Sequence, residues 1–229
     1  MNKIRIIIAI AILSISSIAI SQAQNASAEV KPSFAGGAFL GYYSGTGFEI
    51  YGMISDFARD FPLNARLGIG YTAINPGRAA DARRIFINDA TNGTPEKSGR
   101  SWDFRLDLLY QINLLSLKRA YFIAGPRHSR FTGNFKFIGG NEDFDITSHQ
   151  WGFGAGLESY FAMSDKIDMV ITGGLDYFFP ARLTGHDTSY SPDGDNVNPR
   201  NDYDFDDADK AVGQPKFEPR LMFGFAYKF

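Results

Sequence analysis

Residues 216–229 read KFEPRLMFGFAYKF, and this final stretch decides the fold. Large apolar side chains occupy alternate positions of it, namely Phe217, Leu221, Phe223, Phe225, Tyr227 and Phe229. The positions between them hold mostly charged or small residues, including Lys216, Glu218, Arg220, Gly224, Ala226 and Lys228. A period of two is that of a β-strand, whose successive side chains point to opposite faces. The stretch therefore predicts a strand with one bulky apolar face.

The same alternation recurs along most of the chain. A soluble sandwich also alternates, but its polar face meets water. Bulky apolar residues opposite charges and glycines are instead typical of the lipid-facing and lumen-facing sides of a membrane barrel. The pattern predicts an all-β fold, a transmembrane antiparallel up-and-down β-barrel. Its eight strands are expected at about 34–43, 47–56, 62–74, 101–113, 119–137, 149–162, 166–179 and 215–229. Pro126 interrupts the fifth, where we expect a bulge.

The connections between these strands alternate in length, as in barrels with short periplasmic turns and longer outer loops. The short ones are 57–61, 114–118 and 163–165, and the others are 44–46, 75–100, 138–148 and 180–214. With this arrangement the N- and C-termini are both periplasmic. Within 75–100, residues Ala79–Asn88 are expected to form a short helix.

The composition excludes several classes of function. The 229 residues include no cysteine, which excludes disulfides, thiol catalysis and zinc–thiolate sites. The formal net charge of −2, without a basic stretch, argues against a nucleic-acid partner.

The beginning of the chain has the pattern of a secretory signal peptide. Lys3 and Arg5 precede an apolar run over 6–20, and the small-x-small sites 21–23 and 26–28 follow. We therefore expect residues 1–28 to be a signal peptide, cleaved after Ala23 or Ala28, and residues 29–229 to form the barrel domain. After residue 28 no apolar run is long enough to cross a bilayer as a helix.

Together, the signal peptide, the eight alternating strands and the ending at residues 223–229 resemble the small outer-membrane barrels of the OmpA transmembrane-domain and OmpX type. The resemblance covers nearly all of the mature chain and is architectural. It implies a location in the outer membrane of a Gram-negative bacterium, with outer-membrane lipid and lipopolysaccharide as neighbours. It also implies that Phe225, Tyr227 and Phe229 are a signal read by the outer-membrane assembly machinery.

The lumen of an eight-stranded barrel is just wide enough for side chains to fill it. The charged residues expected to face inward are Glu49, Arg66, Asp103, Arg105, Asp107, Glu158, Asp168, Asp176, Glu218 and Arg220. They could form a gated ion path or a plug of salt bridges. We expect the plug, because little free volume remains and unpaired buried charges are costly.

Catalysis in such a barrel needs a nucleophile beside a base. His128 adjoins Ser129, but successive residues of a regular strand point to opposite faces. A bulge at Pro126 would change that geometry. His149 and His186 have no evident partner. We therefore expect no enzymatic activity, with a lipid-modifying enzyme as an alternative.

The two longest connections carry opposite charge tendencies. In 180–214, Asp193, Asp195 and Asn198 resemble the start of a calcium loop, although the later glycine and glutamate of an EF-hand are missing. Loop-bound calcium is the one cofactor the sequence suggests, and a solvated loop is the alternative. The basic residues of 75–100 could contact lipopolysaccharide phosphates or pair with the acidic loop.

These features predict a non-enzymatic barrel with a filled interior that anchors long extracellular loops for structural or surface-interaction roles. The loops are longer than connection alone requires, so an extracellular ligand could bind there. A narrow channel for ions or small solutes is the first alternative, and a lipid-modifying outer-membrane enzyme is the second.

Overall fold

The computed structural model describes residues 31–114 and 117–229. The predicted signal peptide, residues 1–28, lies outside the described residues. The elements in chain order are β1 (Ser33–Tyr43), β2 (Thr46–Ser55), β3 (Leu63–Ile74), α1 (Ala79–Phe86), β4 (Thr94–Leu114), β5 (Leu117–Ile138), β6 (Asp143–Ala162), β7 (Ile167–Phe178), β8 (Leu183–Gly185), β9 (Thr188–Tyr190), α2 (Phe205–Ala211) and β10 (Phe217–Lys228).

Eight of these strands form a closed antiparallel ring. Strands β1 to β7 pair in sequence order, and β10 closes the ring between β7 and β1. The closing seam runs from Ala35 opposite Lys228 to Tyr43 opposite Arg220. The predicted eight-stranded barrel is therefore confirmed, and both ends of the described chain lie at the end with the short connections, here called the turn end. Within the described residues, neither helix is long and apolar enough to cross a membrane.

Two predicted loops are shorter than expected, because β4, β5 and β6 run on beyond the other strands. They have 21, 22 and 20 residues, against 10 to 12 in the rest of the ring. Residues 94–99, predicted within a loop, pair with 133–138. The connection predicted at 138–148 is reduced to 139–142. Residues 94–99 are polar on both faces, so they lack the alternation that marks a strand.

The bulge predicted at Pro126 is absent. Pro126 pairs regularly with Phe153 of β6. The β4–β5 register is the same on both sides of the proline, although the pairs at Leu106 and Asp107 are missing. A proline cannot donate to the ladder, so pairing lapses without an inserted residue. The register shift between β4 and β5 lies instead between Ile112 and Leu114, near the turn end.

A folded layer covers the end of the barrel opposite the turn end. Connections 75–93 and 179–216 pack over the ends of β4, β5 and β6, and we call this layer the cap. Helix α1 buries Ala82, Ile85 and Phe86 at helical spacing. Helix α2 begins with a capping box between Asp204 and Asp207. The buried apolar cluster of the cap also contains Phe131, Phe135, Phe137, Phe144, Ile146, Leu183, Tyr190, Ala208, Ala211 and Val212.

Candidate functional site in the barrel interior

Eight buried charges of alternating sign form a continuous ladder across the lumen, here called the ion-pair chain. Its order is Glu158, Arg66, Asp107, Arg127, Asp176, Arg105, Glu49 and Arg220. The exposed fraction of each residue is 4% or less. The members come from β2 to β7 and β10, so seven strands of the ring are linked through one set of contacts.

The first half of the chain has short contacts. Arg66 donates through Nη1 to both carboxylate oxygens of Glu158, at 2.8 and 2.7 Å, and through Nη2 to Asp107 at 2.9 Å. Arg127 Nη2 lies 2.7 Å from Asp107 Oδ1, and its Nε lies 3.2 Å from Asp176 Oδ1. Two guanidinium groups therefore hold Asp107 between them.

The second half continues toward the closing seam. Arg105 Nη2 lies 3.0 Å from Asp176 Oδ2, and Arg105 Nε lies 3.4 Å from Glu49 Oε2. Arg220 Nη1 ends the chain at 4.0 Å from Glu49. Strand β1 supplies no charge but supplies an aromatic ring, because the Arg105 guanidinium lies 4.6 Å from the centre of the Tyr43 ring.

Four arginines and four carboxylates make the ion-pair chain electrically neutral. A buried charge is tolerated when it is paired, and removal of one partner leaves the other uncompensated. Every member of the chain has at least one neighbour of opposite sign. Chemically, the arrangement holds the walls together and offers a mobile ion no unpaired counter-charge within these eight residues.

The backbone makes room for these side chains at Gly154. A Cβ there would lie 1.8 Å from Asp176 Oδ1 and 2.6 Å from Arg127 Nη2. No side chain fits in that space, so the contact between Arg127 and Asp176 depends on glycine at this position of β6.

The remaining residues that were predicted to face inward lie inside the barrel but do not belong to the ion-pair chain. Asp103 accepts a hydrogen bond from Ser101, whose hydroxyl also contacts Ser129. Asp168 lies near the turn end with Arg119 and Lys228. The structure thus buries all ten predicted residues, the last being Glu218, which accepts from the backbone N–H of Lys216 at the cap end.

Sequence reasoning missed Arg127, which is fully buried and links two carboxylates. The signal was present, because Arg127 shares its alternation with Ser129 and Phe131, which are also buried. The expected bulge at Pro126 concealed this phase.

The two ends of the lumen differ. At the turn end a cavity of about 340 Å³ opens beside Arg119, Tyr121 and Tyr160. Toward the centre it meets an apolar cluster that includes Phe39, Tyr51 and Met222. The ion-pair chain and then the cap lie beyond. The described interior is therefore a vestibule that ends on packed side chains.

Arg83 makes several polar contacts that help to fix the cap to the barrel. Arg83 of α1 is buried and donates to the carbonyl of Asn92 at 2.7 Å, to the Asn92 side chain at 2.6 Å and to Glu142 at 2.6 Å. The hydrogen bond from Asn88, together with Arg83, holds the pKa of Glu142 below its usual value. The guanidinium also lies 4.4 Å from the centre of the Phe137 ring.

The two cap connections contact each other mainly through backbone and aromatic groups. Gly77 bridges to Val212, and Gly213 N–H donates to the Pro76 carbonyl at 3.0 Å. The ion pair between the connections joins Arg200 to Asp89, which is the reverse of the expected pairing of basic 75–100 with acidic 180–214. Arg78 and Arg84 instead contact Asp81 in their own connection.

The predicted calcium residues each have another partner. Asp193 accepts from Ser191 at 2.6 Å, and Asp195 accepts from Arg182 at 2.5 Å. Asn198 donates to the carbonyl of Asp187 at 3.1 Å. Among the described residues, no group of three or more His, Cys, Asp or Glu side chains is arranged to hold a metal ion.

The histidines and the final aromatic residues are placed as follows. Ser129 points into the barrel, whereas His128 faces outward against Trp151, with ring centres 4.8 Å apart. His149 lies beside His128 at 6.1 Å, and His186 contacts Asp187 at the tip of the β8–β9 hairpin. The residues of the predicted assembly signal all face outward, namely Phe225, Tyr227 and Phe229.

Comparison with solved structures supports the fold. A major outer membrane protein from Thermus thermophilus matches with a TM-score of 0.70 and 24% identity, over 86% of this chain and 99% of that one. Neisserial surface protein A matches with a TM-score of 0.39 and 13% identity, over 86% and 97% of the two chains. No family model matches the sequence. No curated protein matches it significantly either. The barrel fold is thus shared with a known bacterial protein, and the OmpA and OmpX type stays a prediction.

Proposed function

We propose that the protein is a closed, non-enzymatic barrel of the bacterial outer membrane that carries a folded cap on the outer side. The ion-pair chain is the observation that carries this proposal, because it fills the lumen with neutralised side chains. A location in the outer membrane of a Gram-negative bacterium is supported by the outward apolar wall, which exposes residues such as Leu67, Trp151 and Phe225. The membrane protein from Thermus has the same fold.

Both ends of the barrel fit this orientation. Long connections belong on the outer side of such barrels and short turns on the periplasmic side. The cap is then extracellular, and Phe229 lies at the periplasmic rim, where the assembly machinery would read it. The N–H of Phe229 donates to the Phe34 carbonyl at 3.1 Å, so the last residue also helps to close the seam.

The cap, rather than the lumen, is the surface available to an extracellular ligand. Its two connections share a buried core and backbone pairs, so they present a shaped surface. An anchored and ordered surface loses less conformational freedom on binding than a flexible loop does. We therefore assign a structural or surface-interaction role to the cap.

Planar-bilayer recording tests the closed lumen against the narrow-channel alternative. The purified protein should give no reproducible conductance, and a variant that breaks the ion-pair chain, Arg105→Gln, should begin to conduct or fail to refold. The matched control is Lys118→Gln, which removes an exposed charge near the turn end. Reproducible current from the unaltered protein, changed by Arg105→Gln and unchanged by Lys118→Gln, would establish the channel and overturn the proposal.

A further inference from the structure

The outward wall of β3 to β6 carries two arginines beside aromatic residues, and toward the turn end it becomes mainly apolar. Paired residues of adjacent strands lie side by side, so the register places them in rows that run across the strands. The two outward rows nearest the cap that span all four strands are Ala73, Arg100, Thr132, Thr147 and then Tyr71, Trp102, Arg130, His149. Nearer the cap, β4 to β6 alone continue with rows that carry charges of both signs, such as Glu96, Lys136, Asp143. The next outward row toward the turn end is Ile69, Phe104, His128, Trp151. The pairs of Leu67 with Leu106 and of Pro126 with Phe153 follow it, with the β4–β5 pairing missing between them. Arg100 therefore lies one row nearer the cap than Tyr71, Trp102 and Arg130, and the two rows that follow toward the turn end are mainly apolar.

Within the described residues, the charged outward side chains of the ring lie on β4, β5 and β6, and Arg100 and Arg130 are among them. Among the described residues, the outward positions of β1, β2, β3, β7 and β10 carry no charged side chain. The two arginines are exposed, on adjacent strands and one row apart. A guanidinium at the edge of a lipid-facing wall is costly unless an anion or water satisfies it.

No carboxylate of the described chain forms an ion pair with either arginine. The nearest outward carboxylate on β6 is Asp145, two outward positions beyond His149, and it accepts a hydrogen bond from Asn134 at 2.8 Å. The fork of donors on a guanidinium matches the oxygens of a phosphate group, which makes phosphate the best-fitting partner.

Two adjoining open grooves lie along these rows. The upper one, of about 550 Å³, is lined by Arg100, Arg130, Trp102 and Thr132 and shares Ile69 and Phe104 with the lower one. The lower one, of about 600 Å³, is almost entirely apolar in its lining. Gly52, which has no side chain, and Pro126 both line it. A Cβ on Gly52 would meet no atom within 4 Å.

We propose that this wall binds one phosphorylated lipid of the outer leaflet, with its phosphate on Arg100 and Arg130 and an acyl chain in the groove at Gly52 and Pro126. The proposal rests on the outer-membrane location proposed above. From Arg130 to Pro126 the strand advances four residues, about 13 Å at the usual rise. Trp102 pairs with Arg130, and Trp151 lies one row nearer the turn end. Indole rings at this position mark the boundary between headgroups and acyl chains.

Binding is measured on delipidated protein in detergent by native mass spectrometry, with bisphosphorylated lipid A as the probe. The double variant Arg100→Gln/Arg130→Gln should bind about tenfold more weakly or worse, because both charge-assisted contacts are lost. Lys118→Gln, an exposed charge on β5 near the turn end, should bind as the parent does. Equal binding by the double variant, or equal binding of lipid A without phosphates, would overturn the proposal.

The groove is tested separately. Gly52→Leu should fill it and weaken lipid binding while both arginines remain, whereas Gly173→Leu changes an outward glycine on β7 and should have no effect. Competition with millimolar inorganic phosphate tests whether the arginines bind the phosphate of a lipid or free phosphate. If inorganic phosphate displaces the lipid completely, or if Gly52→Leu binds as the parent does, the site is not a lipid site.

Failure of this inference can be separated from failure of the proposed function. Each variant is first checked for the shift in gel migration on boiling that a folded barrel shows. Cell fractionation then reports the location, and binding in detergent reports the site. A folded barrel in the outer membrane that ignores lipid A would refute the inference alone. A protein outside the outer membrane would refute the proposed function, whatever it binds in detergent.

Discussion

At the scale of single residues, Arg127 is the member of the ion-pair chain whose substitution should destabilise the barrel most. It stands between Asp107 and Asp176, and it is completely buried. When its charge is removed, Asp107 and Asp176 each lose one of their positively charged neighbours. Desolvation then works against the folded state, because neither carboxylate can reach bulk water.

We predict that Arg127→Gln lowers the free energy of unfolding by about 3–5 kcal/mol, the usual cost of breaking a buried pair. The measurement is urea unfolding in lipid-free detergent, followed by tryptophan fluorescence. The control is Arg130→Gln on the same strand, which faces outward and should change the free energy by less than about 0.5 kcal/mol. Equal losses in the two variants would show that the ion-pair chain does not stabilise the barrel.

The alternation of residues places ten charged side chains on inward faces, and the structure buries each of them. What alternation cannot give is the partner of each charge, because pairs such as Arg66 with Glu158 join strands that are distant in sequence. Alternation also failed to identify Arg127 as inward-facing. A proline suggests a bulge, and a bulge would exchange the inward and outward positions that follow it. Here the strand keeps its register and drops a pair instead.

At the scale of elements, α1 was predictable and its packing was not. The sequence predicts a helix over Ala79–Asn88, and the helix spans Ala79–Phe86. The sequence of 94–99 has no apolar face that would mark it as a strand, so the three long strands beneath the helix could not be predicted. Without the extended ends of β4, β5 and β6, the sequence predicts free loops for these connections, although they form a folded layer.

We predict that Arg83→Ala loosens the cap without opening the barrel. The substitution removes the contacts to Asn92 and Glu142 and the stacking on Phe137. Amide hydrogen exchange in residues 79–90 should accelerate, while exchange in β1 and β10 should stay slow. Arg84→Ala is the matched control, because its side chain is half exposed and contacts only Asp81 among the ion pairs of the described residues.

We predict that acid, like Arg83→Ala, loosens the cap. The pKa of Glu142 is lowered in the folded protein, so its contribution to stability is present above the unfolded pKa of about 4.3 and is lost as the pH falls further. Exchange in 79–90, corrected for the intrinsic rate, should therefore rise below about pH 4 in the parent. The rise should be absent from Glu142→Gln, and an identical rise there would assign the acid effect to another group.

At the scale of the whole molecule, the seam between β1 and β10 decides whether a sheet or a barrel forms. It joins the first and last strands of the ring, so it closes the longest loop in the chain and carries the greatest entropic cost of closure. The pattern of residues 216–229 predicts a strand, and an even number of alternating strands predicts closure. Alternation does not predict how near the two backbones come.

The closest approach on this seam is at Gly224, where a Cβ would lie 2.0 Å from the Ala38 carbonyl oxygen and 2.6 Å from the Phe39 ring. We therefore predict that Gly224→Ala costs about 1–3 kcal/mol of unfolding free energy, as overpacking does, and weakens the fast-migrating band of unboiled protein. Gly173→Ala is the control, since its Cβ would come no closer than 3.6 Å to another atom. If both variants keep the compact band to the same temperature, close contact at this seam does not govern closure. If Gly224→Ala alone loses it, the barrel depends on a glycine that the strand pattern marks only as small.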